Sequence, residues 1–239
     1  MSAWIFLVLY AILVFVISPK TVNFAGFFHG VDDKGKETSL AMLTASTFIS
    51  WIFAKSVTNA ANLGAKYGIV GGVAYGVYWL CIPLGGLMIY RLRKNYQAKG
   101  LVPFLTQNYG SAAAAFFSLA IFIRLFNEVW SNTTVVGEYF GASGSTSFIV
   151  AAILFTAITA IYSVKGGLRS AIITDFVQTI IFVIFIVITL VVILPKRPFG
   201  EYLSSGIWTM EHGVDLILVS FIQIFSYPFH DPVLTDRAF

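Results

Sequence analysis

The chain has 239 residues, of which 58% are hydrophobic and 11% charged. A soluble domain carries about 25% charged residues, so this chain lacks the polar surface that a water-soluble globule of its size needs; it reads as an integral membrane protein. The same composition excludes disorder, coiled coil and a disulfide scaffold, and the net charge of +4 is read as loop charge that sets orientation, not as a nucleic-acid footprint.

A bilayer core needs about 20 apolar residues per helix. Stretches 1–18, 38–62, 66–90, 111–136, 146–163, 170–194 and 214–236 meet that need, which predicts about seven transmembrane helices. Membrane β-strands would show short alternating segments instead, so the fold class is an all-α membrane bundle. The first stretch has no basic residue before its apolar part and no small-x-small site near Ser18-Pro19, so it is expected to be a retained helix rather than a cleaved signal. Residues 97–110 hold Pro103 and mix apolar with polar positions, as a short interfacial helix does. The single Cys81 sits in an apolar run and cannot pair within the chain.

The loops alternate in charge. Lys20, Lys34, Lys36, Arg91, Arg93, Lys94, Lys99, Lys165 and Arg169 fall on one side, against Lys66, Lys196 and Arg197 on the other. Positive loops face the cytoplasm, which places the N-terminus outside. Trp4, Tyr90, Trp130, Tyr139 and Trp208 fall near span ends as interfacial anchors. The sequence stops at Phe239 while the last span is still being written, which reads as a fragment.

Ionisable and amide side chains at membrane depth are costly and mark functional candidates. In the second span these are Lys55, Ser56, Thr58, Asn59 and Asn62, within FAKSVTNAANLGAKYG. Two readings stand side by side: a helix packed through its small face, or an interrupted helix whose free carbonyls line a cavity. Arg124 and Glu128 form an i,i+4 pair, either an internal lock or a gating pair. Lys165-Gly166-Gly167-Leu168-Arg169 is a glycine turn that opens the sixth span, and Thr174, Asp175 and Gln178 cluster within about one helical turn after it. One carboxylate makes no divalent-metal cage; a monovalent cation at an inner mouth is the chemistry it allows. In the last span Pro228 and Pro232 must break the helix, beside Tyr227, His230 and Asp231. No nucleophile motif, metal spacing or phosphate loop accompanies that His-Asp pair, so the chain is not read as an enzyme.

Three segments together resemble the sodium:solute symporter family. TFISWIFAKSVTNAANLGAKYG at 47–68 looks like the family's interrupted first core helix. YSVKGGLRSAIITDFVQ at 162–178 is similar to its GGL…TD..Q motif, and SYPFHDPVLTDR at 226–237 looks like its interrupted sixth core helix. FLTQNYG at 104–110 resembles the short segment before the family's third core helix. The resemblance implies a LeuT-like fold of two inverted five-helix repeats after one extra helix. On that mapping 1–18 is the extra helix, 38–194 the first repeat and 214–239 the start of the second, all one transporter domain whose remaining helices are missing from this chain.

The resemblance also implies half of a sodium site, made of the backbone carbonyls of Ala54 and Val57. It places Ser56 near sodium and substrate, Tyr227 at an inner gate and Asp175 along the inner cation route, to which the clustering within one turn adds Thr174 and Gln178. Lys55, Asn59, His230 and Asp231 complete the expected cavity. Lys55 departs from the small residue usual there. It is expected to pair with Asp175 or Glu128; losing its proton and replacing the cation are the other two fates. The expected activity is cation-coupled symport of a small polar solute by alternating access in the plasma membrane (the inner membrane in a bacterium), with the lipid bilayer and the solute as partners and sodium as coupling ion. A membrane sensor or scaffold of the same fold is the rival, and a channel-like bundle ranks below it.

Overall fold

The computed structural model describes residues 2–20, 23–32, 34–226 and 231. Among these residues there are helices and turns and no strand. Three helical stretches, Ile69–Tyr96, Leu101–Glu138 and Thr146–Lys196, are long and apolar enough to cross a membrane; the bent pair Leu40–Ile49 with Ala54–Tyr67 is a fourth. The chain divides into two compact units, Met1–Ser56 with Val129–Leu190, and Val57–Glu128 with Val191–Phe239.

The first unit begins with α1 (Ser2–Ile17), which falls on the first apolar stretch of the sequence. Val14 and Leu7 are buried along it, Trp4 meets Phe140 with ring centroids 4.5 Å apart, and the hydroxyl of Ser18 bonds that of Ser170. The short α2 (Phe24–His29) is started by the side chain of Asn23 and stopped by Gly30 in the left-handed region. α3 (Leu40–Ile49) is started by the Ser39 side chain, which accepts from the Met42 N–H.

α8 (Thr146–Ile193) is broken at Gly167, where φ is 57° and ψ −145°. This divides it at the boundary between the fifth and sixth expected spans. The break needs two glycines for a packing reason. A Cβ on Gly166 would collide with the carbonyl of Pro19, and one on Gly167 with the backbone of Phe27. Only bare backbone lets the segment after α1 lie against this corner.

The second unit holds most of α4 (Ala54–Tyr67), then α5 (Ile69–Tyr78) and α6 (Cys81–Tyr96). Pro83 explains the interruption between α5 and α6. Its ring clashes with the carbonyl four residues back, at Trp79, and it has no N–H to donate. The chain tightens there into i−3 bonds: Trp79 to Gly76, Leu80 to Val77 and Ile82 to Trp79, at 3.0–3.1 Å.

α7 (Leu101–Glu138) is broken at Gly110, with φ 85°, so that residues 101–110 form a helical segment separate from the span that follows, as the sequence suggested. α9 (Phe199–Leu203) and the turns around it fold back on the α4–α5 corner, where Ser205 accepts from the Ile69 N–H at 3.1 Å through both its carbonyl and its hydroxyl. α10 (Val214–Gln223) packs along α5. Outside this packing lies a wide apolar surface. Ile180, Ile181, Val183, Ile184, Val187 and Ile188 are all about half exposed, which in water would be untenable and in a bilayer is ordinary.

Candidate functional site

The first candidate site lies in the first unit, where the start of the sixth span packs on α3 and α1. Leaving the Gly167 break, α8 presents Thr174, Asp175 and Gln178 within one turn, and each finds a different kind of partner. Thr174 is fully buried and its hydroxyl is 3.0 Å from the carbonyl of Ser170 and 2.9 Å from that of Ala171, so it serves its own helix. Gln178 donates to the Tyr10 hydroxyl of α1 at 2.8 Å. Asp175 turns to α3, where the Ser46 hydroxyl donates to its carboxylate at 2.7 Å and the Ser50 hydroxyl lies 3.2 Å away.

A hydroxyl has one proton. Ser50 has a shorter option, the Ser46 carbonyl at 2.6 Å, so Ser46 is the stronger of these two donors to Asp175. Ser46 and Ser50 were missed in the sequence because two serines in an apolar helix carry no signal. Their spacing of four, on one helical face, was the available hint.

Immediately after Ser50 the helix breaks, and residues 50–53 contain neither proline nor glycine. The break is made by side chains instead. Ser50 back-bonds to the Ser46 carbonyl, and Trp51 and Ile52 take i−3 bonds to Phe48 and Ile49. Phe53 then caps α4, its N–H bonding the hydroxyl of Ser56 at 3.3 Å, which is one half of a capping box. The next exposed amide, Lys55 N–H, is met from α7 by the side chain of Asn132 at 3.3 Å.

The interruption expected in the second span is therefore present, and it sits before the polar run rather than within it. Ala54 and Val57 occupy the first turn of α4, three residues apart, and Ser56, Asn59 and Lys55 are half-buried on the same helix. Of the two pairings expected for Lys55, the one with Asp175 is not formed. Among the described residues of its own unit its ammonium forms no ion pair, and Asp175 is occupied by the two serines instead.

In the second unit Arg124 and Glu128 form the expected i,i+4 ion pair, with side chains 14% and 18% exposed. Asp231 is buried and lies within electrostatic reach of both Arg124 and Cys81, and Tyr78 also faces Arg124. The sequence grouped Asp231 with His230; its association with Arg124 is long-range and was not legible. Tyr227, Pro228, His230 and Pro232 lie outside the described residues. Among the described residues no group of three or more His, Cys, Asp or Glu could hold a metal ion.

One loop group bears on the mouth of the first site. Asp32 accepts from the Lys36 and Lys34 N–H groups at 2.7 and 2.9 Å. The Lys36 bond, reinforced by Lys34 and by the charge of Arg169, holds its carboxyl below the usual carboxylate range. Asp32, Lys36, Glu37 and Arg169 border a cavity of about 200 Å³ whose inner wall is Met42, Ile172 and Ile173, one turn short of Ser46 and Asp175.

The model of the sodium:solute symporter family matches residues 35–204. The chain is similar to sodium/glucose cotransporter 4 of Homo sapiens, 27% identical over 159 residues, covering 62% of this chain and 22% of that protein. It is 25% identical over 130 residues to sodium/glucose cotransporter 4 of Danio rerio, covering 52% of this chain and 19% of that protein. The chain thus spans about a fifth of the length of these relatives. No solved structure matches it. With the family match running through α3 to α9, and so through both glycine-broken and serine-broken helices, the chain belongs to the sodium:solute symporter family.

Proposed function

We propose that this chain is part of a sodium-coupled symporter that carries a small polar solute across the plasma membrane by alternating access, with the N-terminus outside. One observation carries the reading: the Asp175 carboxylate, on a helix long and apolar enough to cross a membrane, is held against the Ser46 and Ser50 hydroxyls, directly before the break between α3 and α4. A carboxylate in that setting attracts a monovalent cation. Hydroxyls that now donate to it can turn their lone pairs to an arriving ion without moving the backbone. Sodium, as cargo, would pass Thr174, Asp175 and Gln178 on the inner route. The carbonyls of Ala54 and Val57 in the first turn of α4 are the proposed half-site, with Lys55, Ser56 and Asn59 as polar lining of that helix. Tyr227, His230 and Asp231 are assigned to the solute path in the later segment.

On this proposal 1–18 is an extra helix, 38–194 a first five-helix repeat and 214–239 the start of a second. The relatives named for sodium and glucose make sugars the first solutes to try. The test is uptake of a labelled sugar panel, then amino acids and carboxylates, by the whole protein in sealed vesicles with an inward sodium gradient. Saturable accumulation that collapses when the gradient is removed is expected. Uptake driven equally by a proton gradient without sodium would overturn sodium coupling. Current without saturable uptake would favour a channel, and binding without uptake a sensor.

A further inference from the structure

We infer that the end of α6 holds an anionic phospholipid of the surrounding leaflet, its phosphate at Tyr90, Arg93 and Lys94 and its acyl chain along Gly86 and Ile89. Those five residues line one groove of about 480 Å³. Gly86 leaves one wall of the groove open: a Cβ placed there would meet nothing within 4 Å. Its lower part is thus apolar and open, and its upper part is cationic.

The cationic end is built, not incidental. Lys94 and Tyr90 are one helical turn apart, with the ammonium 3.4 Å from the phenol oxygen and 5.5 Å from the ring centroid. That contact directs both polar tips to one place. Gln97, in the left-handed region at φ 53°, ends α6, and the returning Ala98 N–H bonds the Leu92 carbonyl. The turn keeps Lys99 near the same end of the helix, and Tyr96 is pinned to Phe104 of the next helix with ring centroids 5.5 Å apart. Arg91, Arg93, Lys94 and Lys99 are all exposed there, and no Asp or Glu lies between Arg91 and Leu101.

A charged end continuous with an apolar groove on a membrane helix selects its occupant by chemistry. The groove rejects a free inorganic anion, which gains nothing from Gly86 and Ile89. A zwitterionic lipid brings its own ammonium to a cationic site. An anionic phospholipid satisfies both ends, as basic pockets beside transmembrane helices do.

The test is native mass spectrometry of the chain released from nanodiscs of phosphatidylcholine with a minor fraction of phosphatidylglycerol. The wild type is expected to retain phosphatidylglycerol well above its share of the bilayer. Arg93→Gln with Lys94→Gln should reduce that preference about 25-fold, roughly fivefold for each charge. Gly86→Leu keeps every charge and fills the groove, and should also abolish retention. Lys66→Gln, a basic residue elsewhere, should leave it unchanged. Equal retention in wild type and the double variant would overturn the inference. Retention that falls with charge but survives Gly86→Leu would also overturn it, showing diffuse attraction rather than a site. Gly86 has open space for a side chain, and helicity by circular dichroism checks that each variant is folded.

Discussion

Removing one hydroxyl from α3 gives the sharpest test of how the proposed cation route is built. Ser46→Ala deletes the 2.7 Å donor to Asp175, in a position with no exposure at all. Interhelical hydrogen bonds in membranes average only about 0.6 kcal/mol, because the unfolded chain in lipid also finds partners. A charged acceptor roughly doubles that, so the loss should be about 1.2 kcal/mol. Ser50→Ala removes a hydroxyl whose proton belongs mainly to the Ser46 carbonyl, inside its own helix, at 2.6 Å. Its loss should cost no more than about 0.6 kcal/mol. In an Asp175→Asn background the acceptor is neutral, and Ser46→Ala should fall to about 0.6 kcal/mol. The assay is reversible unfolding of the chain in mixed micelles by increasing SDS, followed by helicity. If Ser50→Ala costs as much as Ser46→Ala, or if Asp175→Asn leaves the Ser46→Ala cost unchanged, Ser46 is not the residue that holds the carboxylate.

Gly167→Ala should lose more than about 2 kcal/mol in the same assay, since a positive φ alone costs a side chain about 1–2 kcal/mol and the new Cβ meets the Phe27 backbone. Gly64→Ala, with open space around it in the last turn of α4, should gain up to about 1 kcal/mol. Asp32 has a depressed carboxyl pKa, so its contribution to the 32–36 turn is full above the ordinary carboxylate range and is lost as pH falls through the lowered value. Exchange protection of the Lys34 and Lys36 amides should fall with that acid step, and Asp32→Asn should remove the step. Cysteine labelling should reach Asn95→Cys only from the inside and Ser204→Cys only from the outside, with Cys81 silent because it is fully buried. The opposite pattern would reverse the orientation.

What the sequence revealed and what it hid divide along range in the chain. The breaks at Gly110 and Gly167 were legible because glycine marks a corner locally. The break in the second span was legible only as a composition, and its position was not. It depends on Ser50 and Ser56 bonding backbone groups around Trp51 and Phe53, and on Asn132 meeting the Lys55 N–H from 77 residues away. Asp175 stood out in the sequence as a carboxylate in an apolar segment, yet its serine partners lie 129 and 125 positions earlier. Lys55 drew attention for the same reason and invited pairing with the carboxylates in view. The structure gives the Asp175 carboxylate to serines of α3, a partnership that charge matching along a sequence does not reveal. The local tightening before Pro83 went unremarked in the sequence because a proline late in the apolar run 66–90 leaves one span, and Ile69–Tyr96 is one stretch long and apolar enough to cross a membrane.

The central claim is that the Asp175 carboxylate, held by α3, lies on the path of the coupling sodium ion. The most direct measurement is the sodium activation curve of solute uptake by the whole protein, at fixed membrane potential and pH, for wild type, Asp175→Asn and Lys55→Ala. Wild type should be sodium-dependent, Asp175→Asn should need severalfold more sodium for half-activation while remaining folded, and Lys55→Ala should keep its sodium dependence. Wild-type uptake indifferent to sodium, with dependence appearing only when Lys55 is removed, would contradict the account and make the Lys55 ammonium the resident cation.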